Sequence, residues 1–238
     1  MYLPPVSRLI ALGDPSQADH WPNYLGMGID ARCIDELCRM AADDDLYARI
    51  GNDPAFFAPI HAWMALGVLR AETAIPILIA QLHRIDDEEH DWAGEELPPI
   101  FGMLGPGCIA PLAAYVHDAA NGEMARIAAI EGLRHVAIVT PDSRLASASA
   151  LQALLQHPAE NPPSLNGVAI NALVNLAPVD SIPLIEAAFE AEAVDEMFTG
   201  DLDAIRERVN GMFNPPSPSP LLREQDIAKL NIEVPHEG

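Results

Sequence analysis

Basic side chains are scarce in this chain. One lysine, Lys229, and scattered arginines make 13 cations against 35 acids, a formal charge of −22 at pH 7. A DNA- or RNA-binding surface neutralises phosphates with a basic patch, so this composition excludes one and favours basic partners instead. Aromatic residues are also few, at 5%. Sheets recruit β-branched and aromatic side chains, whereas alanine and leucine dominate here, which points to helices. Three cysteines, Cys33, Cys38 and Cys108, cannot all pair within one chain. No cationic segment followed by an apolar one opens the chain at Met1-Tyr2-Leu3-Pro4-Pro5. The expectation is a cytoplasmic protein with reduced thiols.

Uninterrupted hydrophobic runs are missing too. The stretch from Leu97 to His117 holds no Asp, Glu, Lys or Arg, but Pro98, Pro99, Pro106 and Pro111 with Gly102, Gly105 and Gly107 divide it into two short helices joined by a turn. No membrane-crossing helix is expected. Disorder is excluded by a hydrophobic content of 50%, and 238 residues suffice to bury a sizeable core.

An internal repeat is present. Ala62-Trp63-Met64-Ala65-Leu66-Gly67-Val68-Leu69 and the following Ala74-Ile75-Pro76-Ile77-Leu78 are echoed by Pro99-Ile100-Phe101-Gly102-Met103-Leu104 and Cys108-Ile109-Ala110-Pro111-Leu112. The spacing is about 35 residues, within the range that marks a solenoid of one recurring supersecondary unit. Short helices at 6–12 and 30–42 form an expected N-terminal cap within residues 1–50. Helix pairs then follow at 62–69 with 75–82, 92–118, 124–139 with 144–157, and 165–176 with 180–185. A last amphipathic piece spans 202–209. The run Asn214-Pro215-Pro216-Ser217-Pro218-Ser219-Pro220 reads as a linker, so the array occupies 1–210 and a Pro-rich linker and tail occupy 211–238.

The segment Ala65 to Leu78, written Ala-Leu-Gly-x-Leu-x-x-x-x-Ala-Ile-Pro-x-Leu, resembles a HEAT repeat of the short kind found in phycobilin lyases. More narrowly, Trp21 to Leu202, with Pro59-Ile60-His61-Ala62-Trp63, Glu95-Glu96-Leu97-Pro98 and Leu165-Asn166-Gly167, is similar to a family of uncharacterised bacterial HEAT-repeat proteins of unknown function. The resemblance implies an all-α solenoid of about five helix pairs in a right-handed superhelix, and it carries over no catalytic role. In such stacks the second helix of each pair lines the ligand face, here 74–84, 108–117, 144–156 and 181–192.

Candidate chemistry is thin. Deoxyhypusine hydroxylase, a HEAT enzyme, presents His-Glu pairs to two irons, but His61-Ala62 and Arg134-His135-Val136 both lack the glutamate, so neither a metal nor another cofactor is expected. Gly102-Met103-Leu104-Gly105-Pro106-Gly107 follows a helix and lacks Lys-Ser/Thr, so it is turn chemistry. The densest charge cluster is Asp86-Asp87-Glu88-Glu89-His90-Asp91-Trp92. Asp86, Asp87, Glu88, Glu89 and Asp91 could receive an Arg- or Lys-rich peptide beside Trp92, with His61 and Trp63 as further binding candidates. The bland account of the run is a solvated loop whose acids favour the next helix's N-terminus. The resulting expectation is a non-catalytic scaffold for a basic protein. The alternatives are a lyase-like enzyme or chaperone of a small cofactor, and an acidic nucleic-acid mimic.

Overall fold

The computed structural model describes residues 1–18, 20–49 and 53–210. The expected linker and tail, 211–238, lie outside the described residues. Among the described residues the chain is all-helical, with no strand. It divides into two compact units between Leu69 and Arg70. This division falls between the two helices of the expected pair 62–69 and 75–82.

The first unit, 1–69, opens with a 3-10 segment at Val6–Ala11, where a short helix was expected, and a second 3-10 turn at Pro15–Gln17. Helices α1 (Ile34–Ala41), α2 (Asp44–Tyr47) and α3 (Ala58–Val68) follow. The expected cap helix at 30–42 is thus a 3-10 turn, Ala31–Cys33, running into α1. Residues 58–67 of α3 are all buried, so this helix is wrapped on every side and not along one stripe. Helix α1 packs against it.

The second unit comprises α4 (Ile75–Ala80), α5 (Arg84–Asp87), α6 (Asp91–Leu104), α7 (Ile109–His117), α8 (Glu123–Val139), α9 (Arg144–Leu154), α10 (Pro163–Leu176), α11 (Pro178–Glu190), α12 (Glu196–Thr199) and α13 (Leu202–Asn210). Three hairpins share one joint. A proline follows the first helix at Pro106, Pro141 and Pro178, where its fixed φ starts the second helix and its missing N–H costs nothing. Between α6 and α7 the axis bends by 119°, and no single described helix is long and apolar enough to cross a membrane. Helix α6 packs on α8 and α8 on α10, while α4 packs on α7 and α7 on α9.

The glycines that the sequence assigns to turns have two different tasks. Gly105 ends α6 with φ +88, a conformation that side chains with a Cβ disfavour. Gly102 lies inside α6, where a Cβ would stand 3.0 Å from the His135 carbonyl oxygen, so glycine there permits the close crossing of α6 and α8. Pro98 and Pro99 also lie inside α6 without ending it, at the loss of two intrahelical hydrogen bonds.

Candidate functional site

The acidic run begins on a buried cation. Arg84, 5% exposed, donates through Nε to Gln81 Oε1 at 2.9 Å and through Nη1 to both carboxylate oxygens of Glu88, at 2.6 and 2.8 Å. Its carbonyl accepts the backbone N–H groups of Glu88 and His90, so the segment folds back over Arg84, and Glu89 takes a positive φ of 51° at the turn. Glu88 is thereby committed within its own turn.

Asp86 is committed as well. Helix α8 begins after Gly122, which has no side chain to cap it. The two Asp86 oxygens accept instead from Met124 N at 3.1 Å and Ala125 N at 2.8 Å. A Cβ at Gly122 would lie 2.2 Å from the Asp86 carboxyl carbon, so glycine there is what admits this distant cap. Its charge also complements the helix dipole. Asp86→Ala is expected to lower stability by about 0.5–2 kcal/mol, with Asp86→Asn retaining most of it and Asp87→Asn close to neutral. Urea unfolding of the three variants would decide this, and equal stabilities for Asp86→Ala and the parent would refute the cap.

Asp87, Glu89 and Asp91 are exposed, and Trp92 beside them is half-buried. Asp91 sits in the first turn of α6, as expected for an acid favouring a helix start. Burial pushes the Tyr115 hydroxyl up to about 12, helped by Asp86, Asp87 and Asp118, so a second element of this unit lies in the field of the run.

His61 and Trp63 do not belong with these residues. Both are interior to the first unit, at 1% and 0% exposure, and the expectation that they contact a partner needs correcting. His61 Nε2 faces the Gly13 carbonyl at 2.8 Å, which can only accept, so Nε2 carries the proton and Nδ1 accepts from the Tyr24 hydroxyl at 2.8 Å. Trp63 Nε1 donates to the Ala41 carbonyl at 3.1 Å. Their polar atoms are consumed by packing, as the long apolar context around them requires. The three cysteines are free and buried, and burial raises the Cys108 thiol to about 12. Among the described residues no group of three or more His, Cys, Asp or Glu side chains is placed to hold a metal ion.

Composition alone did not expose Arg126. It stands on the apolar stripe of α8 with Ala129, Ile130 and Leu133, all buried, and a charged residue in such a stripe is the signal that was present. Its Nε donates to the Val116 carbonyl at the end of α7, and its Nη2 to Asn161 Oδ1. Asn161 in turn donates to Leu154 O and to Asn166 Oδ1, and the fully buried Asn166 donates to Pro158 O and Ala193 O. The network ties together the inter-helix loops of the second unit.

No curated protein and no solved structure matches the chain. A family model described as a protein of unknown function (DUF1186) matches residues 34–214, from the first residue of α1 to just past α13, well over half of the sequence. The chain therefore belongs to the DUF1186 family.

Proposed function

We propose that this protein is a HEAT-like helical-repeat module, a right-handed solenoid of about five helix pairs, that binds a basic protein or peptide in the cytoplasm without chemistry of its own. What carries this is the packing of the second unit: first helices α6, α8 and α10 form one row, and second helices α4, α7 and α9 another. Successive hairpins that bury their apolar faces only against neighbours leave extended surfaces for a partner, and a charge of −22 favours a cationic one. Asp87, Glu89 and Asp91 beside Trp92 are the proposed contact, with the row of second helices as the other candidate face.

Nucleic-acid mimicry finds less support. Asp14, Asp30, Asp43, Asp53 and Asp195 each accept the backbone N–H two residues on, and Asp201 the one three residues on. These charges sit at helix and turn starts, where they satisfy orphan donors, and do not form a regular row.

Once affinity capture has yielded a partner, neutralising Asp87, Glu89 and Asp91 together is expected to slow association several-fold and flatten its salt dependence, since exposed charges act chiefly on encounter. Asp86 and Glu88 stay intact in this variant because they hold the local fold. Trp92→Ala is expected to speed dissociation instead. If both variants bind like the parent at low salt, the acidic run is a solvated loop only.

A further inference from the structure

Arg126 is 4% exposed. Its two hydrogen-bond acceptors, the Val116 carbonyl at 2.7 Å and Asn161 Oδ1 at 3.2 Å, are both neutral, although a guanidinium carries five N–H donors. Arg84 and Arg134, the other buried arginines, are each paired with a glutamate at 2.6 Å. Among the described residues no carboxylate lies within ion-pair distance of Arg126. Burial pulls its pKa down, and the more distant Glu123 and Asp118 oppose this only in part. A buried cation so placed gains strongly from an anion that reaches it.

Space for one exists. Arg126 lines a pocket of about 120 Å³ together with Ala153, Leu154, His117, His157 and Glu160. That volume lies below the range for drug-sized ligands, so the pocket admits only a very small molecule. Glu160 is largely exposed, and His157 Nδ1 stands 4.0 Å from its carboxylate. The pocket lining therefore includes a cation, a carboxylate and the apolar side chains of Ala153 and Leu154. A free anion would also meet the repulsion of a chain carrying −22, whereas a ligand of no net charge would not.

We infer that this pocket binds a small zwitterion with the charge pattern of an amino acid, its carboxylate on Arg126, its ammonium on Glu160 and a short aliphatic group against Ala153 and Leu154. The inference is independent of the acidic run and of any protein partner. It is tested by calorimetric titration of the full chain with alanine and leucine, with their amides, which lack the carboxylate, with their N-acetyl forms, which lack the ammonium, and with inorganic phosphate. Alanine or leucine is expected to bind, with the amide and the N-acetyl form each at least about tenfold weaker, as the loss of one charge-assisted hydrogen bond implies. Arg126→Lys keeps the charge but loses the fork and should weaken binding by a similar factor. Glu160→Gln, at an exposed position that the fold does not need, should weaken the free amino acid while leaving the N-acetyl form unchanged. This second variant keeps the test decisive if Arg126→Lys does not fold. Absence of binding by both amino acids at about 10 mM, a concentration well above ordinary ligand affinities, would overturn the inference. Phosphate bound more tightly than either amino acid, an adventitious anion only, would overturn it too, as would affinities that Glu160→Gln leaves untouched.

Discussion

Trp63→Ala is expected to destabilise the first unit by about 3–5 kcal/mol, the range for truncating a fully buried aromatic to alanine. The ring is at 0% exposure, lies 6.2 Å from the Tyr47 ring between centroids, and directs its N–H to the Ala41 carbonyl. That carbonyl also accepts from the Tyr47 hydroxyl at 2.7 Å, so losing the indole donor leaves it satisfied. The cost is therefore mainly that of the cavity. Trp63→Phe should accordingly cost much less, about 1–2 kcal/mol, because most of the ring is retained. Urea unfolding followed by far-UV circular dichroism measures both. A Trp63→Ala variant as stable as the parent would mean that the indole lies on a surface, and would restore it as a contact for a partner.

Acidification is expected to destabilise the protein well before its carboxylates titrate. Burial pushes the pKa of His61, His90 and His135 below the usual histidine range, that of His135 to about 3, where the adjacent Arg134 cation adds to the effect. In the unfolded chain a histidine takes up its proton near pH 6.5. Below that value the unfolded state binds more protons than the folded one, so stability falls as pH falls. For His135 the loss runs from about pH 6.5 down to about pH 3. It amounts to something on the order of 2–3 kcal/mol between pH 6.5 and 4.5, at roughly 1.4 kcal/mol per pH unit. Denaturant unfolding at several pH values should show this slope, and His135→Gln should flatten it whatever its effect on absolute stability. A stability that stays level from pH 7 to pH 5 would show that these imidazoles are charged in the fold, or reached by water.

Much of the helical order was readable along the chain. Alanine and leucine at helical spacing, cut by prolines, placed α6, α7, α8, α9 and α10 within a few residues, because an amphipathic helix and its proline stop are local properties. Where expectation and structure part, a neighbour decides. Gly102 reads as a turn residue from Gly-Met-Leu-Gly-Pro-Gly alone, yet it is helical and small because the backbone of His135 passes against it. The expected helix at 75–82 stops at Ala80 and turns through a 3-10 segment, Gln81–His83, into the short α5.

The candidate site was less legible. Asp86 and Asp87 are identical neighbours in the sequence, but one caps a helix that starts 37 residues later and the other faces solvent. His61 and Trp63 are chemically versatile residue types, and nothing in their spacing announces that Gly13, Tyr24 and Ala41 consume their polar atoms. Arg126 counted only as one of a few scattered cations.

By itself, then, the sequence determined the all-helical class, the joints between helices and the acidic character, since propensity, proline geometry and net charge are sums over local terms. Only the tertiary structure decided which charges remain available. Pairing and burial depend on residues far apart in the chain, such as Asp86 with Met124 and Arg126 with Asn161, whose partnership no local pattern encodes.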